Sequence, residues 1–389
     1  MNRTGLVVFL GLAGVVAAAP VPVRKEGTDP YVLWSVVSEP TKNEMHDPLV
    51  VNNLVVVGTD NGELTAFQAD NGKSVWAYEH GHRIFHQPTS DGERVYFAAE
   101  GSGVTAVTAD TGQKLWSFEP VGDGPVLALR EKRLVYAAGR DGTLYALDAK
   151  SGEKQWVADF VADAPPDPPG FAGDPRPRKA RPTELATDGE AVYLSVFDQC
   201  RVVAFSAATG KRLWSYQTGG WVYGTAVATP THVFVGSHDK SFYGLDKKTG
   251  KLAWKFATQA RIASGGVVDK KYLYFGSCDG SVYCLNQADG KQKWKFDTYR
   301  GESGKRTSIY SVPVLRNGTV CVATAEGQVY GIETATGELR WKIRAVEKSD
   351  LYCSPASDGK SFFVTSRPGF PAKGKPAEGV SALVAIALR

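Results

Sequence analysis

Residues 272–296 read YLYFGSCDGSVYCLNQADGKQKWKF, with apolar and aromatic residues alternating on either side of Asp279-Gly280. Asp-Gly between two alternating runs predicts a β-hairpin, because both central residues of the tightest turn take positive φ. A second turn, Gln287 to Gly290, leads into the strand that carries Trp294, again with glycine where a left-handed backbone is required. The first turn recurs at Asp60-Asn61-Gly62, Asp141-Gly142 and Glu326-Gly327. The second recurs as Gly-x-x-x-Trp, seven times in all: Gly72/Trp76, Gly112/Trp116, Gly152/Trp156, Gly210/Trp214, Gly250/Trp254, Gly290/Trp294 and Gly337/Trp341. Successive tryptophans lie 40, 40, 58, 40, 40 and 47 residues apart, so a unit of fixed length is repeated with two insertions. A period of about 40 residues filled with short alternating strands predicts a β-propeller. With one strand ahead of each hairpin, every blade has four antiparallel strands, A to D from the central channel outward.

The two ends of the chain complete the count. After Trp341 a further unit begins, with Tyr352 to Pro355 expected as strand A, Ser361 to Ser366 as B and Val380 to Ala387 as C, but no strand D follows. An orphan tryptophan strand, Val32 to Val37 around Trp34, stands near the N-terminus. Joining the two closes an eighth blade and removes open sheet edges. The expected fold is therefore all-β, an eight-bladed propeller over 31–389 whose N-terminal strand closes the last blade, with a Pro-rich insertion at 159–182. Trp34 and the seven repeat tryptophans are read as structural, each ring packing between blades with its indole N–H on a backbone carbonyl.

The composition suits an exported all-β protein: 42 Gly, 9 Trp, 16 Tyr and 22% charged residues. Residues 1–19 place Arg3 ahead of an apolar stretch too short to span a bilayer and end in Ala17-Ala18-Ala19, which predicts a cleaved signal peptide. No cysteine precedes Cys200, so no lipid anchor is expected; no later apolar run is long enough to span a membrane, so no transmembrane segment is expected either, and the protein is placed in the periplasm or secreted. A formal charge of +4 makes no case for nucleic acid. No Ser-His-Asp order, phosphate loop or paired-carboxylate motif marks a catalytic centre. His80, His82 and His86 lack the spacing of a metal site, so no metal is expected.

The repeat V-Y-x-G-S-x-D-G-x-x-Y-A-L-D-x-x-T-G-x-x-x-W, seen most fully in Leu134 to Trp156 and Leu273 to Trp294, resembles the pyrroloquinoline quinone (PQQ)-like repeat family. The resemblance spans the chain beyond its first thirty residues. It implies the propeller and leaves two functional branches, quinoprotein alcohol dehydrogenases and BamB-like proteins of outer-membrane assembly. In the dehydrogenases the resemblance implies adjacent bonded cysteines over the quinone. Cys200, Cys278, Cys284, Cys321 and Cys353 include no adjacent pair. The expected function is a non-enzymatic scaffold that binds an extracytoplasmic protein or polymer as a monomer without cofactor. The alternative is a PQQ-binding oxidoreductase with Ca²⁺.

Strand direction sorts the loops. D–A and B–C connections share one face of the disc, and the extended loops 159–182, 298–307 and 367–379 all fall there. They carry Arg176, Arg178, Lys179, Arg181, Arg300, Lys305, Arg306 and Arg367, which marks this face as the partner-binding surface. Aligning the starts of strand A brings His46, Arg83, His86, Trp221, Arg261, Ser311 and Cys353 to the rim of the channel as candidate ligand-binding residues. With Asp279-Gly280 as the turn, Cys284 is expected opposite Phe275 and Cys278 on the other sheet face, which disfavours a bridge between the two.

Overall fold

Among the described residues, the B–C and C–D turns of blades 1 to 7 each contain a residue with positive φ, and these turns set the blades. The computed structural model describes residues 31–38, 43–119, 126–130, 133–162, 181–298, 307–346, 349–368 and 379–387. They form eight antiparallel sheets in a ring. Blade 6 is representative, with strands Gly266–Val268, Tyr272–Gly276, Ser281–Asn286 and Gln292–Asp297. Among the described residues no helix is long and apolar enough to cross a membrane. The signal-peptide segment 1–19 and most of the Pro-rich insertion lie outside them.

The B–C turn is wider than the sequence suggests. Gly276 pairs with Val282, leaving Ser277 to Ser281 as the connection. Gly280 N donates to Ser277 O at 3.0 Å, and Gly280 alone is left-handed there, at φ 79°. Asp279 instead folds the turn with its side chain, accepting from Ser281 N at 3.0 Å and from Tyr283 Oη at 2.6 Å. The register therefore shifts by one, and Cys284 lies opposite Tyr274, not Phe275. All five cysteines are free thiols. Burial pushes the thiols of Cys284 and Cys353 up to about 12, which keeps them protonated and inert.

The turn before each strand D locks one blade to the next. The ring of Trp214 lies against Gly250 of the following blade, where φ is +68° and an added Cβ would stand 2.6 Å from Trp214 Cδ2. Trp214 Nε1 donates to Lys247 O, three residues before that glycine, at 2.8 Å. The same bond joins Trp34 to Ala69, Trp76 to Ala109, Trp116 to Ala149, Trp156 to Ala207, Trp254 to Gln287 and Trp294 to Thr334. Trp341 differs because strands C and D of blade 8 come from opposite ends of the chain, so no turn faces it. Its ring approaches Phe362 instead, 6.4 Å between centroids.

Strand Tyr31–Val37 pairs antiparallel with Ala382–Ala387, from Tyr31 opposite Ala387 to Val37 opposite Ala382. Strand B of that blade is Ser361–Pro368, while strand A is Ala356–Ser357; the expected Tyr352–Pro355 is instead the lead-in. The hydrophobic core lies between blades. Val56, Leu64 and Trp76 of blade 1 meet Val95, Phe97 and Val107 of blade 2, and Trp34, Phe363 and Leu383 of blade 8 meet Val55, Val57 and Phe67 of blade 1. Each blade thus buries its faces only against its neighbours, which is why so long a chain needs no single central core.

Candidate functional site

The connectors from strand D to the next strand A share a local code. In Arg83-Ile84-Phe85-His86, Trp221-Val222-Tyr223-Gly224, Arg261-Ile262-Ala263-Ser264, Ser308-Ile309-Tyr310-Ser311 and Asp350-Leu351-Tyr352-Cys353, the second residue is a fully buried aliphatic anchor. In the first four of these the first residue is pinned through its carbonyl by the B–C turn: Glu100 N donates to Arg83 O, His238 N to Trp221 O, Cys278 N to Arg261 O and Ala325 N to Ser308 O, at 2.8–3.0 Å. Phe197 N donates likewise to Arg181 O at 2.9 Å. Anchor and pin leave the first and third side chains to the channel mouth.

These side chains enclose a cavity of about 410 Å³. His46, His86, Trp221, Arg261, Cys353 and Arg367 line it, together with Asp47, Phe85, Glu184, Phe197, Tyr223, His238, Tyr310 and Tyr352. Arg83 and Arg181 line an adjoining cavity of about 260 Å³ that shares His86 and Glu184. Ser311 does not reach either space. It is fully buried, donating to Ala323 O at 2.9 Å and accepting from Ala323 N at 3.1 Å, which clamps its own strand B. Cys353 makes the same clamp, donating to Thr365 O and accepting from Thr365 N. Arg176, Arg178, Lys179, Arg300, Lys305 and Arg306 lie outside the described residues.

Aromatic rings and arginines alternate around the mouth. Arg83 lies over Phe85, Arg181 over Phe197, Arg261 over Tyr310 and Arg367 over Tyr352, the last with its guanidinium carbon 3.8 Å from the ring centroid. Tyr310 and Tyr352 stack at 4.8 Å, and Phe197 packs on Trp221 at 4.6 Å. Such pairs hold each guanidinium in place while leaving part of it to a ligand. On the blade 1 side, Asp60 bonds both His46 Nε2, at 2.6 Å, and Arg83 Nε. Burial raises the Asp60 carboxyl, but these two partners outweigh it and hold it below the usual range.

Deeper in the channel the sign reverses. Asp47 and Glu184 each precede by two residues the strand A residue, Leu49 or Ala186, that pairs with the centre of strand B. They are therefore equivalent positions of blades 1 and 4, both turned to the channel. Both border open space, yet protein surrounds them on nearly every side, and this surrounding disfavours charge. Burial raises Asp47 to about 6 despite the bond from Ser354 N at 3.1 Å. Burial raises Glu184 to about 8, the Asp47 charge adds to the effect, and a bond with Thr225 offsets only part. His86 and His238 are both pushed down to about 4, chiefly by burial, and also by His46, Arg140 and Arg83 for the first and Arg261 for the second.

Alignment of the connectors captured Trp221, Arg261, His86 and Cys353, but the aromatic third residues and the carboxyls of Asp47 and Glu184 supply much of the rest of the cavity wall. Phe85, Tyr310 and Tyr352 sit one residue, and Tyr223 two residues, from positions already singled out, and Asp47 immediately follows His46. Glu184 was hidden because the insertion ahead of blade 4 breaks the spacing on which alignment depends.

The family model described as outer membrane protein assembly factor BamB matches residues 27–164, 102–220, 140–295 and 278–379. The chain belongs to this family. No curated protein matches this BamB-family chain in sequence. Among solved structures it is similar to BamB from Moraxella catarrhalis, with 17% identity, a TM-score of 0.67, and 93% of this chain and 98% of that one covered. It is also similar to the quinohemoprotein alcohol dehydrogenase ADHIIG from Pseudomonas putida HK5, with 14% identity, a TM-score of 0.68, and 92% and 76% covered. A europium-containing methanol dehydrogenase gives 13% identity, a TM-score of 0.68, and 92% and 93% covered. At these identities the likeness is one of fold. Among the described residues no three His, Cys, Asp or Glu side chains cluster as a metal site, and no two cysteines are adjacent.

Proposed function

We propose that this BamB-family propeller is an exported, non-enzymatic scaffold that binds an extracytoplasmic protein or polymer on the face built from D–A connectors and B–C turns. The supporting observation is the ring of arginine–aromatic pairs around the mouth on that face. Arginine, tyrosine and tryptophan are the residues that concentrate binding energy at protein interfaces, tyrosine and tryptophan by burying much area with little loss of side-chain freedom and arginine by its planar fork of donors. Phe85 and Tyr223 are 43% and 45% exposed there, which is unusual for large apolar rings without a partner. The signal peptide expected at 1–19 would deliver the chain to such a partner.

A photocrosslinking residue at Phe85 is expected to capture an envelope protein or polymer in cells, while one at exposed Lys211, in a C–D turn of the opposite face, captures none. Capture at Lys211 alone, or equally at both, would sink the assigned face. The PQQ reading gives a separate expectation. A ligand at about 100 times its dissociation constant adds about 2.7 kcal/mol to stability. Thermal unfolding with PQQ and Ca²⁺ in large excess is expected to show no rise in midpoint; a rise of several degrees would replace the scaffold reading with the quinoprotein one.

A further inference from the structure

We infer that the channel itself holds a small zwitterion of the amino-acid or short-peptide class, its ammonium group directed inward to Asp47 and Glu184 and its carboxylate held at the mouth by Arg261 and Arg367. This ligand sits inside the channel, so it stands or falls independently of any macromolecule docked on the face above.

Charge in the channel is sorted by depth. The guanidinium groups ring the mouth, each supported by an aromatic face. The two carboxyls lie further along, each three residues after the pinned first residue of its connector, and their hydrogen-bond partners are backbone and hydroxyl groups, Ser354 for Asp47 and Thr225 for Glu184, with the neighbouring His46 adding a weaker pull on Asp47. A carboxylate surrounded by protein and lacking a counter-ion is unfavourable, and a buried ammonium removes that cost. A simple cation would first have to pass the arginines, and a simple anion would meet the carboxyls at the end of its path. A molecule bearing both signs, cation first, matches both layers.

Size and walls agree. A cavity of about 410 Å³ admits a dipeptide and falls within the range of small-molecule sites. Trp221 and the edges of the stacked Tyr310–Tyr352 pair offer apolar surface for an aromatic or aliphatic side chain. His238 also lines the space, and its Nε2 is buried without a hydrogen-bond partner, a vacancy that a peptide amide or carboxylate fills.

Titration calorimetry of the full chain with the dipeptide Phe-Gly, N-acetyl-Phe-Gly and Phe-Gly amide separates the two ends of the ligand. Phe-Gly is expected to bind, and N-acetylation to weaken it by about tenfold or more. Glu184→Gln is expected to weaken Phe-Gly to a similar degree and to leave N-acetyl-Phe-Gly unchanged. Amidation is expected to weaken binding to the parent protein more than to Arg367→Ala, which has already lost one of the two carboxylate contacts. The inference is overturned if Phe-Gly gives no binding up to about 10 mM, or if the acetylated and free peptides bind the parent equally. Because these controls alter the ligand, they decide the matter even if a variant fails to fold.

Discussion

Alanine at Gly250 is expected to lower the unfolding free energy by about 2–4 kcal/mol, among the largest effects of any single methyl group in this molecule. Two costs combine. The residue sits at φ +68°, which disfavours any L side chain, and its new Cβ would stand 2.6 Å from Trp214 Cδ2, well inside van der Waals contact. Gly81→Ala separates them: φ there is +84° but nothing lies within 4 Å, so only the backbone cost of about 1–2 kcal/mol applies. Denaturant unfolding of both variants measures the difference. In a Trp214→Ala background, itself destabilised by about 3–5 kcal/mol, Gly250→Ala should fall to the Gly81 level because the obstructing ring is gone. Equal effects at Gly81 and Gly250 would show that the ring does not constrain the glycine.

The second large effect concerns pH. A carboxyl whose folded pKa exceeds its unfolded value supports the fold fully at low pH and ceases to as pH rises through the folded value. Glu184 moves from 4.5 to about 8 and Asp47 from 3.8 to about 6, so their ionisation erodes stability progressively across that window. Glu184→Gln should therefore match the parent at pH 5 and exceed it at pH 8.5 by on the order of 1–3 kcal/mol. His86 and His238 act at the other end. Their folded values are depressed to about 4, so stability is lost as pH falls below 6.5 and these rings are forced to charge. The thermal midpoint of Glu184→Gln minus that of the parent, followed from pH 5 to 8.5, isolates the one group. A flat difference would mean that Glu184 is not held near-neutral in the channel.

The ring was legible because Gly-x-x-x-Trp encodes a contact between blades: the glycine leaves room for the ring, and the spacing fixes which carbonyl the indole reaches. The orphan strand around Trp34 could be read for the same reason. Less visible were features set by register. Asp279-Gly280 looks like a two-residue turn, but the Asp279 carboxylate prefers to cap Ser281 and bond Tyr283, and the wider turn moves Cys284 one place. At the channel, residue types at the right spacing located the connectors but not which side chain each one turns inward. That depends on the buried aliphatic anchor at the second position, which fixes the third toward the cavity and sends Ser311 back against its own strand.

The seam between Tyr31–Val37 and Ala382–Ala387 has a temporal consequence. The partners are roughly 350 residues apart in a chain that emerges from its N-terminus, so this ladder forms last and bears the largest loop-closure entropy in the molecule. Until then the first strand is an unpaired edge carrying Trp34, and the final blade is a sheet missing its outer wall. A chain cut short anywhere before Ala382 can stack its early blades but has nothing to seal against. The seam thus distinguishes finished chains from interrupted ones, and it marks the interval in which a nascent disc is most exposed to strand exchange with another copy.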